Sequence, residues 1–142
     1  MKRVFASFMV VIAAIAGYLY FSQAQPEGDI EGGVTIILID EEGVEISNVN
    51  YEFTEEMTVY EFLELHYEVG CADNDYKLSS TCEVVSLNSR IILKIDTLET
   101  NWTNNYIQIF VNDVPAVYGA DQINLTDETV YQFKYTDLGG GN

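Results

Sequence analysis

Tyr106-Ile-Gln-Ile-Phe-Val-Asn-Asp-Val-Pro-Ala-Val-Tyr-Gly-Ala-Asp-Gln122 reads as a strand, a tight turn and a short return segment. Side chains alternate across a strand, so Tyr106, Gln108, Phe110 and Asn112 share one face, and Ile107, Ile109 and Val111 the other. Asn112-Asp113 supplies the turn, and Gly119 closes the return. The aliphatic face calls for a packed sheet. The aromatic-polar face calls for something laid against it, whether core, partner or ligand.

Upstream, residues 34–40 (VTIILID) form a β-branched run of strand length, Glu41-Glu42-Gly43 turns the chain, and residues 44–53 return with Tyr51 and Phe53 on one face. Thr58 and Glu61 then have the spacing of a capping box, in which each side chain satisfies a free amide at a helix start. Val59, Phe62, Leu63, His66 and Tyr67 follow at helical spacing, which predicts a helix of about three turns ending at Gly70. On that apolar stripe His66 is expected to be packed and hydrogen-bonded. Residues 83–87 and 91–95 read as short strands, and residues 96–105 (DTLETNWTNN) as a polar loop carrying the sole tryptophan. Downstream, residues 125–129 form a turn and residues 130–135 alternate cleanly, with Tyr131, Phe133 and Tyr135 inward. A hairpin, one helix and several strands ending in a C-terminal one predict an α+β domain: a β-grasp-like mixed sheet with one main helix.

Charge sorts the chain into regions. Of 142 residues, all 23 acidic ones lie beyond Pro26, against four of the six basic ones, leaving that part at net −19. Such a surface repels nucleic acid and anionic headgroups. Lys2-Arg3 precedes an uncharged apolar run over residues 4–21, the pattern of a secretory signal or a single membrane anchor. Ser22-Gln23-Ala24 allows cleavage after Ala24, whereas the length of the run and its Tyr18 and Tyr20 suit retention in a membrane; both outcomes stay open. Either way the positive-inside rule sends the rest of the chain outward. The organisation expected is a signal peptide or signal anchor over 1–24, a flexible tether over 25–33, a folded domain over 34–137 and a disordered tail over 138–142.

Cys71 and Cys82 bracket a polar loop. In an exported chain they are most simply a disulfide, closing a loop whose length corresponds to roughly 3 kcal/mol of stabilisation. A metal site or a reactive thiol are the alternatives, and zinc is poorly served by two cysteines without histidine pairs nearby. No nucleophile–base pair, phosphate loop or metal-spaced cluster stands out, so no enzyme is expected. Asp73-Asn-Asp75 has a hint of a calcium loop but lacks its glycine and closing glutamate, as in an ordinary polar turn. Trp102, Tyr106, Phe110 and Tyr118 gather on or beside the opening hairpin, with Asn112 at its turn. Aromatic side chains suit a flat apolar ligand, and they equally suit core packing.

Three stretches in order carry a family resemblance: the first hairpin with Thr58-Val-Tyr-Glu-Phe-Leu63, then Phe110-Val-Asn-Asp-Val-Pro-Ala-Val-Tyr-Gly-Ala-Asp121, then Leu125-Thr-Asp-Glu-Thr-Val-Tyr-Gln-Phe-Lys-Tyr135. Over residues 34–136 the chain resembles the transcobalamin C-terminal-like domains, β-grasp-type modules of exported bacterial proteins. It departs from them in carrying Ile107 where a tryptophan is usual, with its own at Trp102, and Asp113 in place of a glycine. The resemblance implies an extracytoplasmic binding module, membrane-anchored or secreted, that captures a corrinoid such as cobalamin and passes it to a membrane transporter. From the residues themselves, no cofactor and no resident metal are expected, and the candidate ligand contacts are Trp102, Tyr106, Phe110, Asn112 and Tyr118. The alternative is a surface domain that binds another protein through a sheet edge or its acidic face.

Overall fold

A computed structural model describes residues 28–83 and 89–138. The expected signal or anchor over 1–24 and most of the strand expected over 83–87 lie outside the described residues. So do residues 25–27 of the tether and 139–142 of the tail; of the described tether residues, Gly32 and Gly33 already belong to the first strand. Among the described residues no helix is long and apolar enough to cross a membrane.

The frame is a five-stranded sheet built from both ends of the chain. β1 (Gly32–Ile39) and β2 (Glu45–Phe53) make the first hairpin, and β9 (Thr129–Asp137) returns to lie beside β1. With β7 (Asn105–Val111) and β8 (Val114–Pro115) the order is β2-β1-β9-β7-β8. β1 and β9 run parallel, in register from Val34↔Thr129 to Ile39↔Lys134, and every other pairing in this sheet is antiparallel. A strand with neighbours on both sides keeps little exposed surface. That is why β1 reads as an almost unbroken aliphatic run: even Ile37, on the face away from the core, is 7% exposed.

One face of this sheet is covered. Val34, Ile36 and Leu38 of β1 and Tyr131 and Phe133 of β9 point inward, together with Ile107 and Phe53. They join one core with Val59, Phe62 and Leu63 of helix α1 (Val59–His66). Burying side chains of this size contributes about 1.5–3 kcal/mol each relative to exposure. The capping box forms as expected: Thr58 Oγ1 accepts from the Glu61 N–H (3.2 Å) and a Glu61 carboxylate oxygen accepts from the Thr58 N–H (2.8 Å).

The helix is shorter than expected, because the chain is pulled into a second sheet. Its strands are β3 (Val69–Ala72), β4 (Leu78–Ser79), β5 (Ile92–Ile95) and β6 (Leu98–Glu99), in the order β4-β3-β5-β6. The Glu68 N–H donates to an Asp96 carboxylate oxygen (2.7 Å), and the Asp96 N–H donates to the Glu68 carbonyl (2.8 Å). This clamp fixes the exit from α1, and Tyr67 is already extended. Gly70 is therefore a strand residue and not a helix stop; a Cβ there would lie 2.7 Å from Leu78 Cδ1. His66 is exposed, and its ring lies against those of Phe62 (4.4 Å) and Tyr51 (4.7 Å) instead of entering the core. The supposed loop over 96–105 contains β6, turned by Asp96 in the left-handed region (φ 51°). Asp73 accepts from the N–H groups of Asp75 (2.8 Å) and Lys77 (3.0 Å), which makes that stretch a polar turn.

Cys71 of β3 is bonded to Cys82. Such a bond suits an oxidising, extracytoplasmic environment. Replacing both cysteines by alanine is expected to lower unfolding stability by roughly 3 kcal/mol, read from urea midpoints. An unchanged midpoint would show that the closed loop contributes nothing.

Candidate functional site

The site begins as an interrupted hairpin. Asn112 and Asp113 both take left-handed conformations (φ 49° and 67°), the pairing a two-residue hairpin turn requires. β7 and β8 then pair only at Val111↔Val114 and Phe110↔Pro115, and the Ala116 N–H donates to the Ile109 carbonyl (2.8 Å). Past Ala116 the chain turns to a different partner. Asp121, in the 3-10 turn Ala120–Gln122, accepts the Arg90 backbone N–H at one carboxylate oxygen (2.7 Å) and its guanidinium at the other (3.1 Å). Arg90 also donates from Nε to the Cys82 carbonyl (3.1 Å) and stacks over the Tyr60 ring at 4.6 Å. Gly119 permits this approach, since a Cβ there would sit 2.1 Å from Ser89 Oγ. The strap 116–122 is thus tied to residues 89–90, and a wedge opens between it and β7.

That wedge is a cleft of about 390 Å³. Trp102, Tyr106 and Tyr118 line it, with Ile107, Ile109 and Ile92. Trp102 meets Tyr106 edge to face, ring centres 6.2 Å apart. Its backbone is left-handed (φ 62°), a conformation that costs a bulky residue on the order of 1–3 kcal/mol. The surrounding loop holds it there. Asn101 Oδ1 accepts from the N–H groups of Thr103 and Asn104 (both 2.9 Å). Buried Asn105 accepts from the Asn101 N–H (2.7 Å) and donates to the Tyr135 hydroxyl (2.6 Å).

Three of the five expected contact residues therefore converge. The other two do not line the cleft. Asn112 holds the sheet: its Oδ1 accepts from the Val130 N–H (2.9 Å) and its own N–H donates to the Val130 carbonyl (2.8 Å). Phe110 is half-buried on the outward face of the sheet, in register with Gln132. A second hollow, about 300 Å³, lies on the other side of the strap, lined by Val111, Val114, Val117, Ile123 and Tyr131; Tyr118 lines both. Arg90, Asp121 and the Ser89–Gly119 contact were not singled out from sequence. The one available signal was that Arg90 is among only four basic residues beyond Pro26.

The walls are apolar and aromatic, and the Arg90 charge is offset by Asp121. Burial, and then the hydrogen bond to Glu64, push the Tyr60 hydroxyl up to about 12, so beneath Arg90 the ring is neutral at ordinary pH. Among the described residues no three His, Cys, Asp or Glu side chains are grouped so as to hold a metal ion.

The chain matches no protein-family model and no curated protein. Among solved structures it is similar to a protein of Ruminococcus gnavus ATCC 29149 described as "a putative metal binding protein", with a TM-score of 0.53 and 16% identity. The match covers 75% of this chain and 98% of that one. At that identity the likeness shows a shared fold and nothing about ligands.

Replacing Asp121 by alanine strands the Arg90 charge and one backbone N–H. We expect a loss of about 2 kcal/mol in unfolding stability and a shift in the emission of Trp102 across the cleft. Unaltered stability and emission would mean that Asp121 does not position the strap.

Proposed function

We propose that this chain is a non-enzymatic binding module of the extracytoplasmic space that holds a flat, largely apolar ligand in the cleft between β7 and the strap. The observation that carries it is the convergence on one opening of Trp102, in the loop leading into β7, Tyr106 of β7 and Tyr118 of the strap. The cleft's volume falls in the usual range for small-molecule sites. The parallel pairing of first and last strands, with one helix across the sheet, supports the β-grasp-like reading and with it the resemblance to transcobalamin C-terminal-like domains. That resemblance favours a corrinoid. Such a molecule is larger than the cleft, so the aromatic walls would grip one edge or face and leave the remainder to a membrane transporter that receives it. The disulfide supports an outward location, reached through the segment over 1–24, as a cleaved signal or a retained anchor. Metal binding, the description given to the structural neighbour, finds no matching group of ligands among the described residues here.

Titrating the full chain with cobalamin or cobinamide tests the reading. The expected outcome is saturable quenching of Trp102, the only tryptophan, with a matching change in corrinoid absorbance. Trp102→Ala should weaken binding about tenfold by the absorbance signal, the scale of one aromatic contact. No saturable change up to high micromolar ligand would contradict it.

A further inference from the structure

The cleft has a third kind of surface besides its aromatic walls and its aliphatic base: the bare backbone edge of β7. The Asn112 N–H donates to the carbonyl of Val130, directly opposite it in the register that continues Val111↔Tyr131. Alternation then assigns the N–H and C=O groups of Tyr106, Gln108 and Phe110 to β9, and directs those of Asn105, Ile107 and Ile109 to the other side. On that side β8 reaches only Phe110 and Val111, and Ala116 takes the Ile109 carbonyl. Because the strap is tied to residues 89–90, the Ile107 N–H and C=O have no partner among the described residues. They open into the cleft, of which Ile107 is a lining residue.

We infer that this edge is a docking site for an extended segment of another protein, which adds to β7 as a further strand inside the cleft. Open strand edges are ordinarily guarded by charge. The opposite edge of the sheet, β2, follows that rule, with exposed Glu45 and Glu52 along it. The free part of β7, Asn-Tyr-Ile-Gln over 105–108, carries no charged residue. Four residues at about 3.4 Å each give an edge of roughly 14 Å, room for a short segment bound through main-chain hydrogen bonds. Trp102, Tyr106 and Tyr118 would take apolar side chains at alternate positions of that segment. The net −19 beyond Pro26 selects its flanks, which should be Lys or Arg. The same charge argues against a second copy of this chain as the occupant, since two such surfaces repel. The inference rests on the cleft being the binding site, but it does not depend on a corrinoid as ligand.

The test uses the full chain, isotope-labelled, and a pool of end-blocked heptapeptides with Lys at both ends and Val, Thr, Tyr or Phe between. The expected result is saturable binding that moves the Ile107 amide resonance, slows its hydrogen exchange and weakens at least tenfold on raising salt from low to high. A fully N-methylated pool should not bind, because it cannot donate. Absence of binding, binding that leaves Ile107 unmoved, or equal binding of the N-methylated pool would overturn the inference. Competition with cobinamide separates the two ideas. If cobinamide binds and the peptides do not, only the docked strand is lost. If the peptides bind and cobinamide does not, the corrinoid reading falls and the docking edge stands.

Discussion

Asp121 decides where the chain goes after the 112–113 turn. A hairpin that begins with a left-handed two-residue turn would by default continue zipping along β7. Here a carboxylate that is largely buried accepts both the backbone and the guanidinium of Arg90, and hydrogen bonds to a charged group outweigh the neutral ladder bonds given up. The strap leaves the sheet, and the cleft exists because it left. Arg90 extends the tie further, through Cys82 to the disulfide and through the Tyr60 ring to α1. The wall of the site is therefore fixed by the same contacts that join the helix, the second sheet and the strap.

The larger frame makes that local choice possible. Pairing β1 with β9 in parallel brings the ends of the domain together at the centre of the sheet and leaves β7 toward one edge. The covered face then supplies Ile107, Ile109 and Phe133 to the cleft, while Tyr106 and Trp102 come from the rim. Alternation along one strand thus delivers an aliphatic base and an aromatic wall to the same opening.

Much of this was legible in residue order. The hairpin over 34–53, the Thr58–Glu61 cap, the alternation in β7 and β9 and the Cys71–Cys82 bond all follow from local pattern, and all are present. The misreadings came where a distant partner overrode the local signal. Gly70 looked like a helix stop, but the helix yields earlier because Glu68 is clamped by Asp96, 28 residues away. His66 lay at the right helical spacing for the core, yet α1 ends there and the ring stays at the surface against Tyr51. Asn112 looked available to a ligand, while its side chain is taken by Val130. The Arg90–Asp121 pair spans 31 residues with no motif at either end, so nothing short of the folded chain could reveal it.

Over Asn105 to Gln108, β7 is paired on one side and open on the other. Amide hydrogen exchange in the unliganded full chain measures this directly. We expect strong protection at Gln108, whose backbone faces β9, and rapid exchange at Ile107, whose backbone faces the cleft. Comparable protection of the two amides would mean that the edge is already covered, and the cleft as described here would not be an open site.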